Sequence, residues 1–253
     1  MRSVRLFSYL LAVFIVGCVL FHNVTYAKPY DYANKVIACY EGNINYPYVA
    51  VFGKVGFAID AAAAVPIDVQ NGNTAYRAPI KAVDLFTGKM KDGQDLVISK
   101  VGDTIVVFYD LDDLKGSMRT YTLSDDNFDT AYDTYMLLSQ PSFIKDICYE
   151  GNYNYPCVDL GKQFANMLDI SSSIPLDTER GRGYTVALKT LVYGTGKISD
   201  NGRLVMFRHG KELWHLFSRN GETVRKKFIK VNDAQFPRDY YAFRLAMAEC
   251  RGK

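Results

Sequence analysis

The chain has 253 residues, of which 49% are hydrophobic, 23% are charged and 19 are tyrosine, and its formal net charge at pH 7 is +3. Low-complexity tracts are absent, so this composition excludes a disordered polar chain and predicts a packed core.

The chain opens with a leader-like segment. Two arginines precede an apolar run, and Thr25-Tyr26-Ala27 places small residues at the −3 and −1 positions. This layout predicts a secretory signal peptide over residues 1–27 and an exported protein, either periplasmic or secreted. Cys18 after Gly17 offers the alternative of a lipoprotein, the one route by which we expect contact with a membrane, and an uncleaved anchor is the third option.

Beyond residue 27 the chain keeps four cysteines and two histidines. An even number of cysteines in an oxidising compartment favours two disulfides. We predict the pairs Cys39–Cys250 and Cys148–Cys157, and the main alternative joins Cys39 to Cys148 and Cys157 to Cys250. No CxxC motif occurs, so neither a zinc site nor any other metal or cofactor is predicted.

One nine-residue sequence occurs twice. CYEGNINYP begins at Cys39 and CYEGNYNYP at Cys148, and further matches such as TGKMKD at Thr87 and TGKISD at Thr195 keep an offset of 108 or 109 positions. A constant offset over the whole chain predicts a tandem duplication. The units are residues 28–140 and 141–253, and we expect a twofold axis to relate them.

In chain order, each unit is predicted to begin with a helix–corner–helix. The apolar stretches ANKVIACYE and SFIKDICYE end at Gly42 and Gly151, and Pro47 and Pro156 then suit the first position of a second helix. In the second unit that helix would be CVDLGKQFANMLDIS, whose apolar residues have helical spacing.

Strands follow the corner. Hairpins are predicted around Gly102-Asp103 and Gly210-Lys211, then a third strand (MRTYTL and TVRKKFIKV) and a C-terminal helix (NFDTAYDTYMLL and PRDYYAFRLAMAEC). KAVDLF and VALKTLVY are additional strand candidates. The predicted fold class is α+β, a tandem of units of about 110 residues.

The best catalytic candidates are His209, Glu212 and His215. If Gly210-Lys211 is the hairpin loop, His209 lies opposite Glu212, and strand alternation sends His215 to the other face. The equivalent positions in the first unit are Val101 and Val107. Phosphate-loop, dinucleotide and nucleophile-elbow motifs are also missing, so we predict no catalytic residues and no enzyme.

Charge and tyrosine placement suggest binding. The first unit has ten basic and 15 acidic residues, a net of −5, and the second has 18 basic and 12 acidic residues, a net of +6. Opposite charges can help the units dock, or the basic strand with Arg225 and Lys227 can attract an acidic partner. Tyrosine and glutamate residues crowd the two corners, where they form the candidate binding residues Tyr40, Glu41, Tyr46, Tyr149, Glu150, Tyr153 and Tyr155.

These observations predict an exported, non-enzymatic protein that binds a protein partner of the envelope or periplasm. The most specific hypothesis is an inhibitor or immunity protein against a toxin or hydrolase. The alternatives are a component of an envelope or secretion assembly, and an envelope hydrolase that uses Glu41 and Glu150. Nucleic acid is not an expected partner, because an exported chain rarely meets it.

Overall fold

The computed structural model describes residues 36–69, 73–109, 117–140, 143–179, 181–219 and 222–251. The predicted leader, residues 1–27, and the alternative lipidation site Cys18 lie outside them. The described chain forms two curled antiparallel sheets, one in each half, and a long helix ends each half.

The first sheet has the strand order β1-β2-β4-β5-β6-β7, with β3 paired to β4. After it come helix α1 and the one-turn helix α2. Their bounds are β1 Tyr48–Phe52, β2 Val55–Ile59, β3 Val65–Val69, β4 Asn73–Asp84, β5 Met90–Val101, β6 Thr104–Tyr109, β7 Met118–Tyr121, α1 Phe128–Ser139 and α2 Phe143–Asp146.

The second sheet has the order β13-β12-β11-β10-β9-β8, and helix α3 closes the chain. Strand β9 occupies the place that β2 and β3 share in the first half. The bounds are β8 Cys157–Leu160, β9 Phe164–Thr178, β10 Gly181–Val192, β11 Lys197–His209, β12 Glu212–Arg219, β13 Glu222–Lys230 and α3 Phe236–Arg251.

The prediction of an α+β tandem with a helix–corner–helix in each unit is wrong, because the described fold is mostly β. The predicted second helix of the second unit is instead the β8–β9 hairpin, and its counterpart in the first unit is the β1–β2 hairpin. The predicted strand hairpins do form, with Val101 opposite Thr104 and His209 opposite Glu212.

Glycine–lysine turns explain the error. Gly53 has φ 57° and, with Lys54, connects Phe52 to Val55 in a two-residue hairpin loop. Gly161 and Lys162 occupy the matching turn between β8 and β9. Three to five apolar residues on each side of such a turn fit a short strand as well as a helical turn, so local periodicity could not separate the two structures.

The two halves share one core, and aromatic rings of α1 and α3 lie at its centre. Phe128 stacks on Tyr132 within α1, with ring centres 5.3 Å apart, and Phe236 stacks on Tyr240 within α3, with ring centres 5.0 Å apart. The cross-contacts Phe128–Tyr240 and Tyr132–Phe236 are edge-to-face at 5.9 and 5.6 Å. Such contacts add about 0.5–1.5 kcal/mol each beyond their buried area, so the quartet joins the halves.

Buried charges also cross between the helices. Arg244 of α3 donates to Asp133 Oδ2 of α1 at 3.1 Å and to the carbonyl oxygen of Val36. Tyr241 donates to Asp133 Oδ1 at 2.8 Å. Arg208 of β11 pairs with Asp129 at 2.9 Å. Burial raises the pKa of Asp129, but Arg244, Arg208 and the Tyr240 hydroxyl outweigh it, so the pKa lies below its ordinary value.

No disulfide joins Cys39, Cys148, Cys157 and Cys250, the cysteines in the described ranges, so the pairs Cys39–Cys250 and Cys148–Cys157 stay predictions. The unit boundaries 28–140 and 141–253 also stay predictions. Among the described residues there is no helix with the length and apolar character needed to span a membrane.

Candidate functional site

The repeated nine residues form the same loop twice. An antiparallel bridge joins Cys39 to Pro47, and the Tyr40 N–H donates to the Tyr46 carbonyl at 2.9 Å. The second copy has the Cys148–Pro156 bridge and a matching Tyr149–Tyr155 bond at 2.9 Å. The glycine, asparagine and proline of the motif therefore have structural roles in the turn.

The glutamate of each loop has an uncommon backbone. Glu41 and Glu150 have φ values of 49° and 50° and are the non-glycine residues with positive φ in the described chain. A left-handed conformation costs about 1–2 kcal/mol for a residue with a Cβ. Both glutamate side chains point into solvent, so the same strained geometry presents an exposed carboxylate in each half.

In the second half this loop borders an open depression of about 240 Å³. At its wall the Lys189 ammonium pairs with Asp200 at 3.1 Å and Asp169 at 3.6 Å, and the hydrogen bond with Asp200 raises its pKa. A hydrogen bond to Glu150 likewise raises the pKa of the Tyr149 hydroxyl. The lining residues are Tyr149, Glu150, Asn152, Tyr155, Met167, Lys189 and Ile198.

The structure therefore brings together three of the predicted residues, Tyr149, Glu150 and Tyr155, but not all of them. Tyr153 packs against the main core instead. Tyr40 and Tyr46 belong to a separate apolar cluster in the first half, where Lys81 lies 6.0 Å from the Tyr46 ring and pairs with Asp92 at 2.8 Å. The two corners are thus similar but separate surfaces.

Strand β13 divides the predicted basic residues between its two faces. The inner face, which packs under α3, includes Lys227, whose ammonium lies 3.8 Å from Asp239. Arg225 shares this face and lies over the Phe217 ring at 5.6 Å. Lys226 and Lys230 are exposed on the outer face. Arg225 and Lys227 are therefore not the residues that would meet a partner on the outer face of the sheet.

The inner face also buries a polar cluster found only in the second half. Desolvation, together with Lys227 and Arg238, lowers the pKa of His215 to about 3. Burial raises the pKa of Asp239 to about 7, although Lys227 and Arg238 oppose it. His215 is 1% exposed and neutral at pH 7, as expected for a core histidine, while His209 is exposed on the opposite face.

The outer face of the second sheet carries a row of aromatic rings that sequence reasoning missed. Cross-strand pairing aligns Gly183, Phe207, Trp214 and Phe228 on four neighbouring strands. The ring centres of Phe207 and Trp214 are 5.5 Å apart, and those of Trp214 and Phe228 are 4.4 Å apart. This row faces away from α3, because Tyr184, beside Gly183, packs on Phe243 of α3.

Exposed apolar side chains extend this aromatic row into a patch. Leu176 pairs with Gly183 and continues the row, while Ile174 begins the neighbouring row, which ends at Lys226. Their exposed fractions are 37% for Leu176, 53% for Ile174 and 49% for Phe228, whereas Phe207 is 3% exposed and lies beneath its neighbours in the row. We call the outer-face residues Ile174, Leu176, Phe207, Trp214 and Phe228 the aromatic patch.

The constant offset between matching sequence segments gives one signal that could have found this patch. The positions of Phe207, Trp214 and Phe228 correspond at the same offset to Ser99, Val106 and Thr120, which are small in the first unit. Three aromatic residues gained at aligned positions of neighbouring strands indicate a surface special to the second half. The strand register needed to align them comes only from the structure.

In the described part of the chain no group of three or more His, Cys, Asp or Glu side chains is placed to hold a metal ion. Burial raises the pKa of Cys39 and Cys148 to about 12, so these thiols do not ionise at neutral pH. Comparisons with protein-family models, curated proteins and solved structures found no match.

Proposed function

We propose that the protein is an exported, non-enzymatic protein-binding protein that acts as an inhibitor or immunity protein against a toxin or hydrolase of the envelope. The observation that carries this proposal is the aromatic patch with the exposed lysines Lys226 and Lys230 beside it. Contiguous exposed apolar surface with a polar rim is typical of protein interfaces, and tryptophan is enriched at their energetic centres.

The leader-like sequence supports export, and the open depression at the corner of the second half supports recognition by surface contact. The experiment that tests the proposal uses the full chain, exported by a bacterial host and purified with a C-terminal tag. Partners are captured from a periplasmic extract and identified by mass spectrometry. One enzyme bound in stoichiometric amount, whose activity falls on binding, is the expected result.

A matched pair of variants makes this experiment specific. Phe228→Ser combined with Ile174→Ser removes exposed apolar side chains from the aromatic patch and should abolish capture. Phe108→Ser combined with Met118→Ser makes the same kind of change on the first sheet, where the side chains are 37% and 57% exposed, and should leave capture unchanged. Turnover of cell-wall or lipid substrates by the purified protein would contradict the proposal.

A further inference from the structure

Strand β13 is the outermost strand of the second sheet, and it extends over nine residues from Glu222 to Lys230. The edge strand of the first sheet, β1, is covered, because side chains of α1 and of its N-cap residue form hydrogen bonds with its backbone. Asn127 accepts from the Val51 N–H, and the hydroxyls of Thr130 and Thr134 donate to strand carbonyls. The structure thus covers one edge of the first sheet with helix side chains, whereas β13 pairs only with β12 among the described residues.

The hairpin between β11 and β12 shows which groups of β13 are directed outward. His209 and Glu212 close a two-residue loop, so Glu212, Trp214 and Leu216 bond toward β11, and the residues between them bond toward β13. The partners of Trp214 and Leu216 on β13, Phe228 and Lys226, must then direct their N–H and C=O away from the sheet.

Lys230 supports this assignment. It has the same parity as Phe228, and its N–H donates to Asp233 Oδ2 at 2.9 Å while its carbonyl accepts the Asp233 N–H at 3.0 Å. The outward groups of Lys230 are therefore occupied by the turn that follows. The open part of the edge is at Lys226 and Phe228, which provide two N–H groups and two C=O groups.

We propose that an extended segment of the protein partner pairs with this edge as an additional strand, an inference that rests on the proposed function and identifies its surface. The side chains at the edge determine what that segment contains. Beside Phe228 an apolar residue would continue the row of Phe207, Trp214 and Phe228, since directly opposite residues share a face.

The lysines specify the neighbouring positions. On the added strand, the residue two positions from the apolar one on one side lies beside Lys226. The residue two positions away on the other side leaves the edge near the Lys230 side chain, because the turn occupies the outward backbone groups of Lys230. Acidic side chains are favoured at both positions. The partner segment has the alternating pattern acidic–any–apolar–any–acidic. Backbone hydrogen bonds supply affinity in such strand addition, and the alternate side chains supply specificity.

Edge lysines also have a protective role in many sheets, because they discourage pairing with other chains. The two roles differ in what they predict for an acidic strand. A purely protective edge repels or ignores all peptides, whereas a receptor edge binds the acidic pattern and rejects the basic one.

The test uses synthetic peptides with the full exported chain. One peptide places Glu, Phe and Glu at alternate positions among threonines, and its control replaces both Glu residues by Lys. Binding is followed by the fluorescence of Trp214, the only tryptophan of the chain, which lies 4.4 Å from Phe228. We expect the acidic peptide to bind at least about tenfold more tightly than the basic one.

N-methylation of single peptide bonds then tests for strand pairing. A methyl group on an N–H that faces β13 removes a backbone hydrogen bond and should weaken binding about tenfold, while a methyl group on the next residue faces solvent and should change it less than twofold. Such alternation does not arise when only side chains make contact. Equal sensitivity at both positions, or no difference between the acidic and basic peptides, would overturn the inference.

Two substitutions at Lys226 separate an effect on strand pairing at the edge from an effect on the stability of the fold. Lys226→Gln removes the charge, and Lys226→Pro also removes the outward N–H at a position where an edge strand tolerates proline. The proline variant should bind more weakly than the glutamine variant, with a similar melting temperature for both. If the protein captures its partner but the acidic and basic peptides bind equally, or both N-methylations weaken binding equally, strand addition is wrong and the proposed function stands. If the peptides bind as expected and no partner is inhibited, strand addition stands and the proposed inhibitor function is wrong.

Discussion

The ion pair between Arg244 and Asp133 allows a direct test of how the two halves hold together. The Arg244 side chain is 7% exposed and that of Asp133 is 1% exposed, and Arg244 Nη2 lies 3.1 Å from Asp133 Oδ2. Burial raises the pKa of Asp133 to about 7 even with Arg244 beside it. The Arg244→Met substitution keeps much of the volume but leaves the Asp133 carboxyl buried without its cation, so that folding at pH 7 must protonate it or bury it charged. Removal of one partner of a buried pair costs about 3–5 kcal/mol.

The double variant Arg244→Met with Asp133→Asn removes the stranded charge. The amide oxygen can still accept the Tyr241 hydroxyl, which donates to Asp133 at 2.8 Å. The double variant should therefore be more stable than the sum of the single effects predicts, with a coupling energy of about 2 kcal/mol. Urea unfolding at pH 7, followed by Trp214 fluorescence and by far-UV circular dichroism, gives the free energies.

Arg208 provides the control. Its pair with Asp129 is more open, with side chains 27% and 23% exposed, so Arg208→Met should cost less than Arg244→Met. If Arg244→Met costs less than about 1 kcal/mol and the double variant is additive, the buried pair does not stabilise the junction of the halves, and the aromatic quartet and the remaining cross-contacts must do so.

Three further changes test local features. Glu150→Gly should stabilise the protein by about 1 kcal/mol because Glu150 has φ 50°, whereas Glu150→Ala should not, and thermal melts measure both. Between pH 7 and pH 5 the free energy of unfolding of the wild-type protein should fall by about 2 kcal/mol more than that of His215→Val. The reason is that His215 has a pKa of about 3 in the folded protein and about 6.5 in the unfolded chain, so the unfolded chain takes up a proton in this window and the folded protein does not. Urea midpoints at the two pH values test this. Gly183→Ala should destabilise the protein by about 1–3 kcal/mol, because the added Cβ would lie 2.8 Å from the Met206 carbonyl oxygen. Gly194→Ala, which has open space around it, should have little effect, and chemical denaturation measures both variants.

Elements with strong local signals could be predicted from the sequence. The hairpins at Gly102-Asp103 and Gly210-Lys211 and the helices α1 and α3 lie where the pattern placed them. The corners were misread because the apolar residues on each side of Gly53 and Gly161 are too few to distinguish a strand from a helical turn. The sheet that continues beyond each turn decides the structure, and that pairing is not local.

The candidate surfaces show the same division. The repeated motif predicted that Tyr149, Glu150, Tyr153 and Tyr155 would lie at one corner. Tyr149, Glu150 and Tyr155 line one depression, whereas Tyr153 packs against the core. Alternation also predicted that His209 and His215 face opposite sides, and this is confirmed, with His209 exposed and His215 buried. The aromatic row depends on the register of β10 to β13, which no local pattern specifies, so Phe207, Trp214 and Phe228 went unnoticed.

The opposite net charges of the halves, −5 and +6, allowed two explanations, docking of the halves and attraction of a partner. The structure shows which charges take part in docking of the halves. Arg208 and Arg244 of the basic half pair with Asp129 and Asp133 of the acidic half across the core, so these charges contribute to docking.

The charged side chains of β13 are not among the ion pairs of that junction in the described structure, although Ile229 of this strand belongs to the shared core. Lys227 pairs with Asp239 within its own half, and Arg225 lies over Phe217 of the neighbouring strand. Lys226 and Lys230 extend from the outer face, away from α1 and α3. Because docking does not require these two lysines, their position on either side of Phe228 supports the proposed partner strand, which is acidic at two positions and apolar between them, and the acidic and basic peptides separate this role from protection of the edge.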